Sequence, residues 1–320
     1  MSLADMFSED KAGPRLIFLG AITQDTLFRV PSIPTPPAKV LPTDCLRGAA
    51  GMATSAATAA ARVGGKVALW GRLGDDAAGD AIIAELATEG IDLVDVRRVP
   101  GVDSPFATIL IDPTGERLVI PWYDSALGAE AGWLPLHKVA GAAAVMADVR
   151  WADGAAALLT AARTAGIPAL IDADVGPAEV LARLVPLADH ALFSEPALLG
   201  YAGLSDPLEA LKKVAATHPG LVGVTRGQAG FYWVEGGAIR HVEAPEVIAV
   251  DTLAAGDVFH GVYTLVIAKG GSVVQASRLG CIAASLKCTR FGGRLGAPTY
   301  AELTAEIIRL EWQQPHTPAP

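Results

Sequence analysis

The sequence predicts an α/β protein: three layers, α/β/α, around a mostly parallel sheet, with a small β-sheet flap beside it. Two observations carry this. Short apolar runs alternate with alanine-rich helical ones from residue 16 to residue 225, the pattern of βαβ units that place helices on both faces of a parallel sheet. Two further stretches, residues 26–47 and 106–122, break that alternation and read as extended excursions that build the flap.

In order, residues 16–20, 67–71, 145–148, 169–172, 191–193 and 221–225 read as buried strands. Residues 53–63, 78–89, 154–165, 177–184 and 207–217 carry helical periodicity between them. Residues 26–47 are proline-rich. Residues 106–121 read as two strands around the turn Asp112-Pro113-Thr114-Gly115, so the flap is expected to be antiparallel. Val247-Ile248-Ala249-Val250 reads as one more short strand, leading into a helix over residues 258–269 that faces inward through Phe259, Val262, Leu265 and Val266. One domain is expected over residues 15–310, with residues 1–14 and 314–320 as loose tails.

Composition narrows the function. Hydrophobic residues make up 51% of the 320 and charged ones 18%, as in globular proteins. A net charge of -9 with no basic run argues against a nucleic-acid partner. No apolar stretch reaches the roughly 18–20 residues that span a bilayer, and residues 1–14 lack a signal pattern. Cys45, Cys281 and Cys288 cannot all pair and show no metal-ligand spacing, so a cytoplasmic location is expected, with Cys281 and Cys288 as buried packing residues.

The run Asp251-Thr252-Leu253-Ala254-Ala255-Gly256-Asp257 is the most informative. A helix N-terminus presents free N–H groups and a positive dipole end, and Ala254, Ala255 and Gly256 leave room for an anion against the backbone. Asp257 in the first turn is then either a dipole partner, worth roughly 0.3–1 kcal/mol, or a base for a hydroxyl attacking phosphorus. Asp25 falls just past the first strand, where ligands of open α/β sheets gather; it can take two sugar hydroxyls or simply cap a turn. Small residues precede a helix again at Gly48-Ala49-Ala50-Gly51. Thr225-Arg226-Gly227-Gln228-Ala229-Gly230 follows a strand and lets a nucleotide phosphate approach the backbone. No Walker A motif, dinucleotide fingerprint or protein-kinase signature is present.

Taken together, the chain resembles the PfkB, or ribokinase-like, carbohydrate kinases. The matching motifs are Ala50-Gly51 through Gly64-Gly65, then Gly71-Arg72-Leu73-Gly74-Asp75-Asp76 with Gly79, Thr225 with Gly227 and Gly230, and Asp251-Thr252 with Ala254-Ala255-Gly256-Asp257. The resemblance implies a ribokinase-like fold with a β lid, and transfer of the γ-phosphoryl group of ATP, with Mg2+, to a sugar hydroxymethyl. It implies Asp257 as base, the amides of residues 254–257 as anion hole, Asp25, Gly51 and Ser55 on the sugar, and Thr225, Gly227 and Gly230 along the nucleotide. K+ is a further cofactor candidate.

A closer likeness is to the sulfofructose kinase branch. It rests on Ala147-Asp148-Val149-Arg150-Trp151, Phe193-Ser194-Glu195-Pro196, Gly256-Asp257-Val258-Phe259-His260-Gly261 and the run from Leu286 to Gly296. That likeness implies an anionic ketohexose such as 6-deoxy-6-sulfofructose, with Lys39 and Arg150 as the cations for its charged group. The chain also departs from the family. Ser55 stands where many members have Asn, Ser194-Glu195-Pro196-Ala197 replaces Asn-x-x-Glu, leaving Glu195 as the side-chain candidate for Mg2+, and Ile120-Pro121-Trp122 offers no amide on the lid. A neutral-sugar kinase, a nucleoside kinase with Phe28, Phe106 or Trp122 as stacking partners, and a non-catalytic sensor on the same fold stay open. The apolar lid residues Ile109, Ile111 and Val119 suggest a homodimer through the lids.

Overall fold

The computed structural model describes residues 13–313. From the N-terminal side come β1 (Arg15–Leu19), β2 (Thr23–Arg29), β3 (Asp44–Ala50), α1 (Met52–Arg62), β4 (Lys66–Gly74), α2 (Ala77–Thr88), β5 (Val96–Val99), β6 (Phe106–Ile111) and β7 (Arg117–Trp122). Then follow β8 (Ala144–Asp148), α3 (Ala152–Ala165), β9 (Ala169–Ala173), α4 (Ala178–Leu184), β10 (His190–Ser194), α5 (Glu195–Ala202), α6 (Pro207–Ala215) and β11 (Leu221–Thr225). The last elements are β12 (Phe231–Glu235), β13 (Ala238–Val242), α7 (Ala255–Ala268), α8 (Val273–Cys288) and α9 (Tyr300–Gln313). Of the tails predicted at residues 1–14 and 314–320, residues 1–12 and 314–320 lie outside the described residues; Pro14 is held, its carbonyl accepting from the Lys66 amide at 3.0 Å.

The large sheet has the order β13-β12-β11-β10-β9-β8-β1-β4-β5, parallel except for the β11-β12-β13 edge. Its central strands are apolar on both faces, because helices cover both. Along β1, Leu16 and Phe18 join the core under α1, α7 and α8, while Ile17 and Leu19 join the core under α3 and α4. The Gly236-Gly237 turn between β12 and β13, both residues at positive φ, suits a tight hairpin.

Chain order reverses at β1: the sheet grows one way through β4 and β5, then returns to β8 on the other side. The carboxyl ends of β1 and β8 therefore flank a topological switch point, where such sheets bind ligands. The register also lines up the ends of four neighbouring parallel strands, with Asp148 opposite Asp172 and Ser194 opposite Thr225.

The flap is a second sheet of order β3-β2-β6-β7. It is not wholly antiparallel: β2 and β6 run parallel, because they enter from the same edge of the large sheet in separate excursions. It begins at Thr23, so Asp25 sits on strand β2 opposite Gly48 and not in a loop past β1. Ile109 and Ile111 point into the flap's own small core with Leu27 and Ala107, and so are not an outer edge. The exposed apolar side chains of β7 are Leu118, Val119, Ile120 and Trp122, with Phe106 of β6 beside them.

Residues 247–250 are a second correction. They form no strand: β13 closes that edge of the sheet, and Ile248 is 89% exposed. The segment is an extended wall, tied to α8 by the Val250 amide on the Cys288 carbonyl at 2.8 Å. Beyond it α7 is buried from Val258 to Val266. Gly261 lets α1 approach closely, since a Cβ there would lie 2.1 Å from the Ala56 carbonyl oxygen.

Candidate active site

A cavity of about 690 Å3 opens between the strand ends, the N-terminus of α7 and the inner face of the flap. That volume suits a small-molecule ligand. Its floor is the start of α7. Ala254 precedes the helix with φ 63°, the one non-glycine residue at positive φ among those described. A left-handed alanine costs roughly 1–2 kcal/mol, and no side chain caps the first amides of the helix. The Ala255 amide turns back onto the Thr252 carbonyl at 3.3 Å, which leaves the amides of Gly256 and Asp257 at the cavity with the dipole behind them, a ready anion hole. Thr252 ties this loop to the flap. Its hydroxyl donates to the Gly115 carbonyl at 2.9 Å and accepts from Arg117 at 2.8 Å.

One end of the cavity is lined by Thr23, Asp25, Gly48, Ala50, Gly51, Ser55, Tyr123 and Arg150. Thr23 donates to the Asp25 carboxylate at 2.6 Å. Asp148, fully buried, accepts from the amides of Ala21 at 2.7 Å, Ala53 at 3.0 Å and Arg150 at 2.8 Å. It thereby fixes the end of β1, the start of α1 and the position of Arg150. Gly51 has φ 108°, and a Cβ there would lie 2.4 Å from the Ala21 carbonyl oxygen. Gly51→Ala is expected to cost roughly 1–3 kcal/mol and to lower the melting temperature; a melting curve that overlays the parent contradicts this.

The other end is formed by Thr225, Gly227, Gln228, Gly230 and the apolar wall of Ala244, Pro245, Val247 and Ala249. Gly227 and Gly230 both sit at positive φ, and a Cβ on Gly230 would strike the Val242 carbonyl oxygen. Cys281 is a buried core residue, as expected, whereas Cys288 is only half-buried; both border this end.

A family model described as pfkB family carbohydrate kinase matches residues 14–300. This chain belongs to the PfkB family of carbohydrate kinases. A crystal structure from Agrobacterium tumefaciens, provisionally assigned as a ribokinase, is 42% identical with a TM-score of 0.91, over 95% of this chain and 100% of the other. The ribokinase of Haemophilus influenzae is 26% identical over 92% of this chain and 98% of its own length. A fructokinase of Klebsiella pneumoniae is 28% identical over 74% and 86% respectively.

The fold of this PfkB kinase brings Asp25, Gly51, Ser55, Arg150, Thr225, Gly227, Gly230 and residues 254–257 to one cavity. It does not bring Lys39, which is exposed in the strandless segment between β2 and β3. Nor does it bring Glu195, whose carboxylate pairs with Arg226 at 2.5 Å at the start of α5. Phe28, Phe106 and Trp122 are also absent from the lining. Along β7 the residues alternate: Arg117, Val119 and Pro121 line the cavity, so Ile120 and Trp122 face away. The Gly71–Gly79 motif serves structure: Asp76 caps α2 through the Gly79 amide at 2.8 Å and accepts from Ser104.

Sequence reasoning gave no site role to Asp148, Asp172, Asp174, His260 or Arg117. Burial pushes Asp25 up to about 6, opposed by the Thr23 hydrogen bond. Burial likewise pushes Asp148 up to about 6, against its amide donors. Asp257 is raised well above the ordinary carboxylate range, first by desolvation and then by the charges of Asp172, Asp174 and Asp148. Its remaining accessible surface faces the cavity and not bulk water, which is why desolvation leads. Below it, Asp172 lies 3.1 Å from His260 Nδ1, both side chains 3% exposed.

No group of three acids, cysteines or histidines that could cage a metal occurs among the described residues. Mg2+ seldom needs one, since it keeps water and substrate phosphates as ligands. Asp172, whose Oδ2 is turned onto His260, and Asp174, which accepts from Ser194 at 2.8 Å, both line the cavity. They suit an ion held through water.

Proposed function

We propose that this PfkB kinase transfers the γ-phosphoryl group of ATP to the hydroxymethyl group of a neutral sugar of the ribose or fructose type. The observation that carries the reading is the placement of Asp257 on an uncapped helix N-terminus, inside a cavity with Asp25 at one end and the Thr225–Gly230 turn at the other. The polyphosphate lies along that turn and the α7 amides, and the base ring against Ala244, Pro245 and Val247. Asp25 accepts two sugar hydroxyls, and Gly51 and Ser55 close around the ring. Asp257 takes the proton of the attacking hydroxymethyl, and the α7 amides hold the charge that gathers on the phosphoryl oxygens. Mg2+, when bound with ATP, neutralises phosphate charge; Asp172 and Asp174 are the residues that would hold its water shell. The flap's contact with Thr252 supports closure over the reacting groups.

Charge favours a neutral substrate. Asp25, Asp172, Asp174 and Asp257 line the sugar end and the floor, with Asp148 buried behind them. The anionic ketohexose reading rests on Arg150, whose guanidinium already meets the Val175 carbonyl at 2.7 Å and Asp174 at 3.1 Å. The absence of Phe28, Phe106 and Trp122 from the cavity lining counts against a nucleoside stacked on them. An ADP-release panel with ribose, fructose, 6-sulfofructose and adenosine tests this. Turnover is expected with a neutral sugar, and Arg150→Ala is expected to slow neutral and anionic sugars alike. Turnover confined to the sulfonated sugar, with selective loss in Arg150→Ala, would overturn the neutral assignment; ligand binding with no ADP from any sugar would favour a sensor.

The exposed apolar row of Leu118, Ile120 and Trp122 lies on β7, an open edge of the flap, and we assign it to a second copy of the chain. No helix among the described residues is long and apolar enough to cross a membrane, and the three cysteines are unpaired. A reducing cytoplasm suits such a chain.

A further inference from the structure

Lys287 is an unusual residue to find where it is. Its side chain and that of Asp251 are both 0% exposed. Burying a charge costs several kcal/mol unless it is paired and hydrogen-bonded, and a well-packed apolar pair in the same space is often no less stable. Such a pair therefore needs a reason in its surroundings.

The surroundings are the underside of the anion-hole loop. The ammonium donates to the Asp251 carbonyl at 2.5 Å and lies 3.2 Å from the Asp251 carboxylate. That carboxylate accepts from the amide of Leu253 at 2.8 Å on one oxygen. On the other it accepts from Gly292 at 3.0 Å and Gly293 at 2.8 Å. The Val250 and Asp251 amides both reach the Cys288 carbonyl, next to Lys287. One positive charge thus secures a carboxylate that gathers three amides from two loops. Leu253 is the residue before Ala254, the strained position from which the α7 amides are aimed.

The ligands of this charge are a backbone carbonyl and a carboxylate oxygen. Those are also the hard oxygen donors that a small monovalent metal ion takes. The ammonium brings the same unit charge, tethered to α8, so an ion from solvent would have to displace it.

We propose that Lys287 is a built-in cation that positions the anion hole through Asp251, in place of an exchangeable monovalent ion. It is a positioning residue, since it acts through the loop and touches no reacting atom. The proposal rests on the kinase reading of the cavity, and its main consequence is that phosphoryl transfer needs no added K+.

The test compares steady-state rates at fixed Mg2+ with K+, Na+ or N-methylglucamine as the sole monovalent cation. Equal rates in the three are expected for the parent chain; activation by K+ overturns the proposal. Lys287→Met is expected to lose about 100-fold in kcat, as when an oxyanion donor is removed, while the sugar KM holds. K+ or methylammonium should then restore part of the loss. Unchanged kcat in Lys287→Met also overturns the proposal. If that variant does not fold, the parent-chain salt series still decides. If no sugar gives ADP in any salt, the kinase reading fails instead. In that case calorimetric affinity for a non-hydrolysable ATP analogue in the same three salts decides: equal affinities support Lys287 as the cation, and tightening by K+ contradicts it.

Discussion

Asp257→Asn is expected to lower turnover by roughly 10²–10⁴-fold, the usual contribution of a positioned general base, while ATP and sugar bind much as before. The amide keeps the shape of the carboxyl and leaves the α7 amides untouched, so the anion hole survives. It removes only the lone pair that takes the hydroxymethyl proton. The raised affinity of Asp257 for its proton sharpens the expectation. A carboxyl whose value lies above the ordinary range is protonated over a wider span of pH, and so inactive as a base there. Activity should therefore rise with pH along a limb lying above the usual carboxylate range. Asp172→Asn removes the largest neighbouring charge acting on Asp257, and is expected to move that limb to lower pH. Near-parental turnover in Asp257→Asn would remove the residue from the chemistry, whatever the fold.

The second large effect belongs to Asp25. Hydrogen bonds to a charged acceptor are worth about 1.5–3 kcal/mol each, so losing two should reduce kcat/KM for the sugar by ~10²–10⁴-fold in Asp25→Ala. The loss should appear mainly in KM. Protonation has the same sense: with Asp25 pushed up to about 6, sugar affinity should weaken as pH falls through that value. Stability runs the opposite way. A carboxyl raised on folding contributes stability that is full below its unfolded value near 3.8 and is lost as pH rises through about 6. Asp25→Asn should consequently gain more in melting temperature at pH 8 than at pH 5 while binding sugar poorly. Equal shifts at the two pH values contradict the burial of an ionised Asp25, and an unchanged sugar KM contradicts its contact with substrate.

The parts of this protein that were legible in the sequence are those written locally. The βαβ alternation, the flap hairpin around Pro113 and the small-residue approach to Asp257 each lie within a few residues of chain. Asp172 and Asp174 were not legible, because their role comes from strand register: only pairing of β8 with β9 sets Asp172 beside Asp148. Arg117 reaches Thr252 across 135 residues through the flap. Residues 247–250 have the composition of a buried strand but no free sheet edge to join, and apolar composition alone does not separate a strand from the wall of a cavity. Lys39 failed for a related reason. Its segment between β2 and β3 was read as part of the flap, yet carries no ladder that would aim it inward. The alternation along β7 was available in the sequence, and it would have turned Trp122 away from the cavity.

The central claim, that a sugar hydroxymethyl receives the γ-phosphoryl group in this cavity, is tested most directly by 31P NMR of the parent chain with ATP, Mg2+ and ribose or fructose. A new phosphate monoester resonance, split by coupling to the two protons of a CH2–O group and growing in step with ADP, is the predicted result. Inorganic phosphate as the only product, or an unchanged ATP spectrum with both sugars, would contradict it.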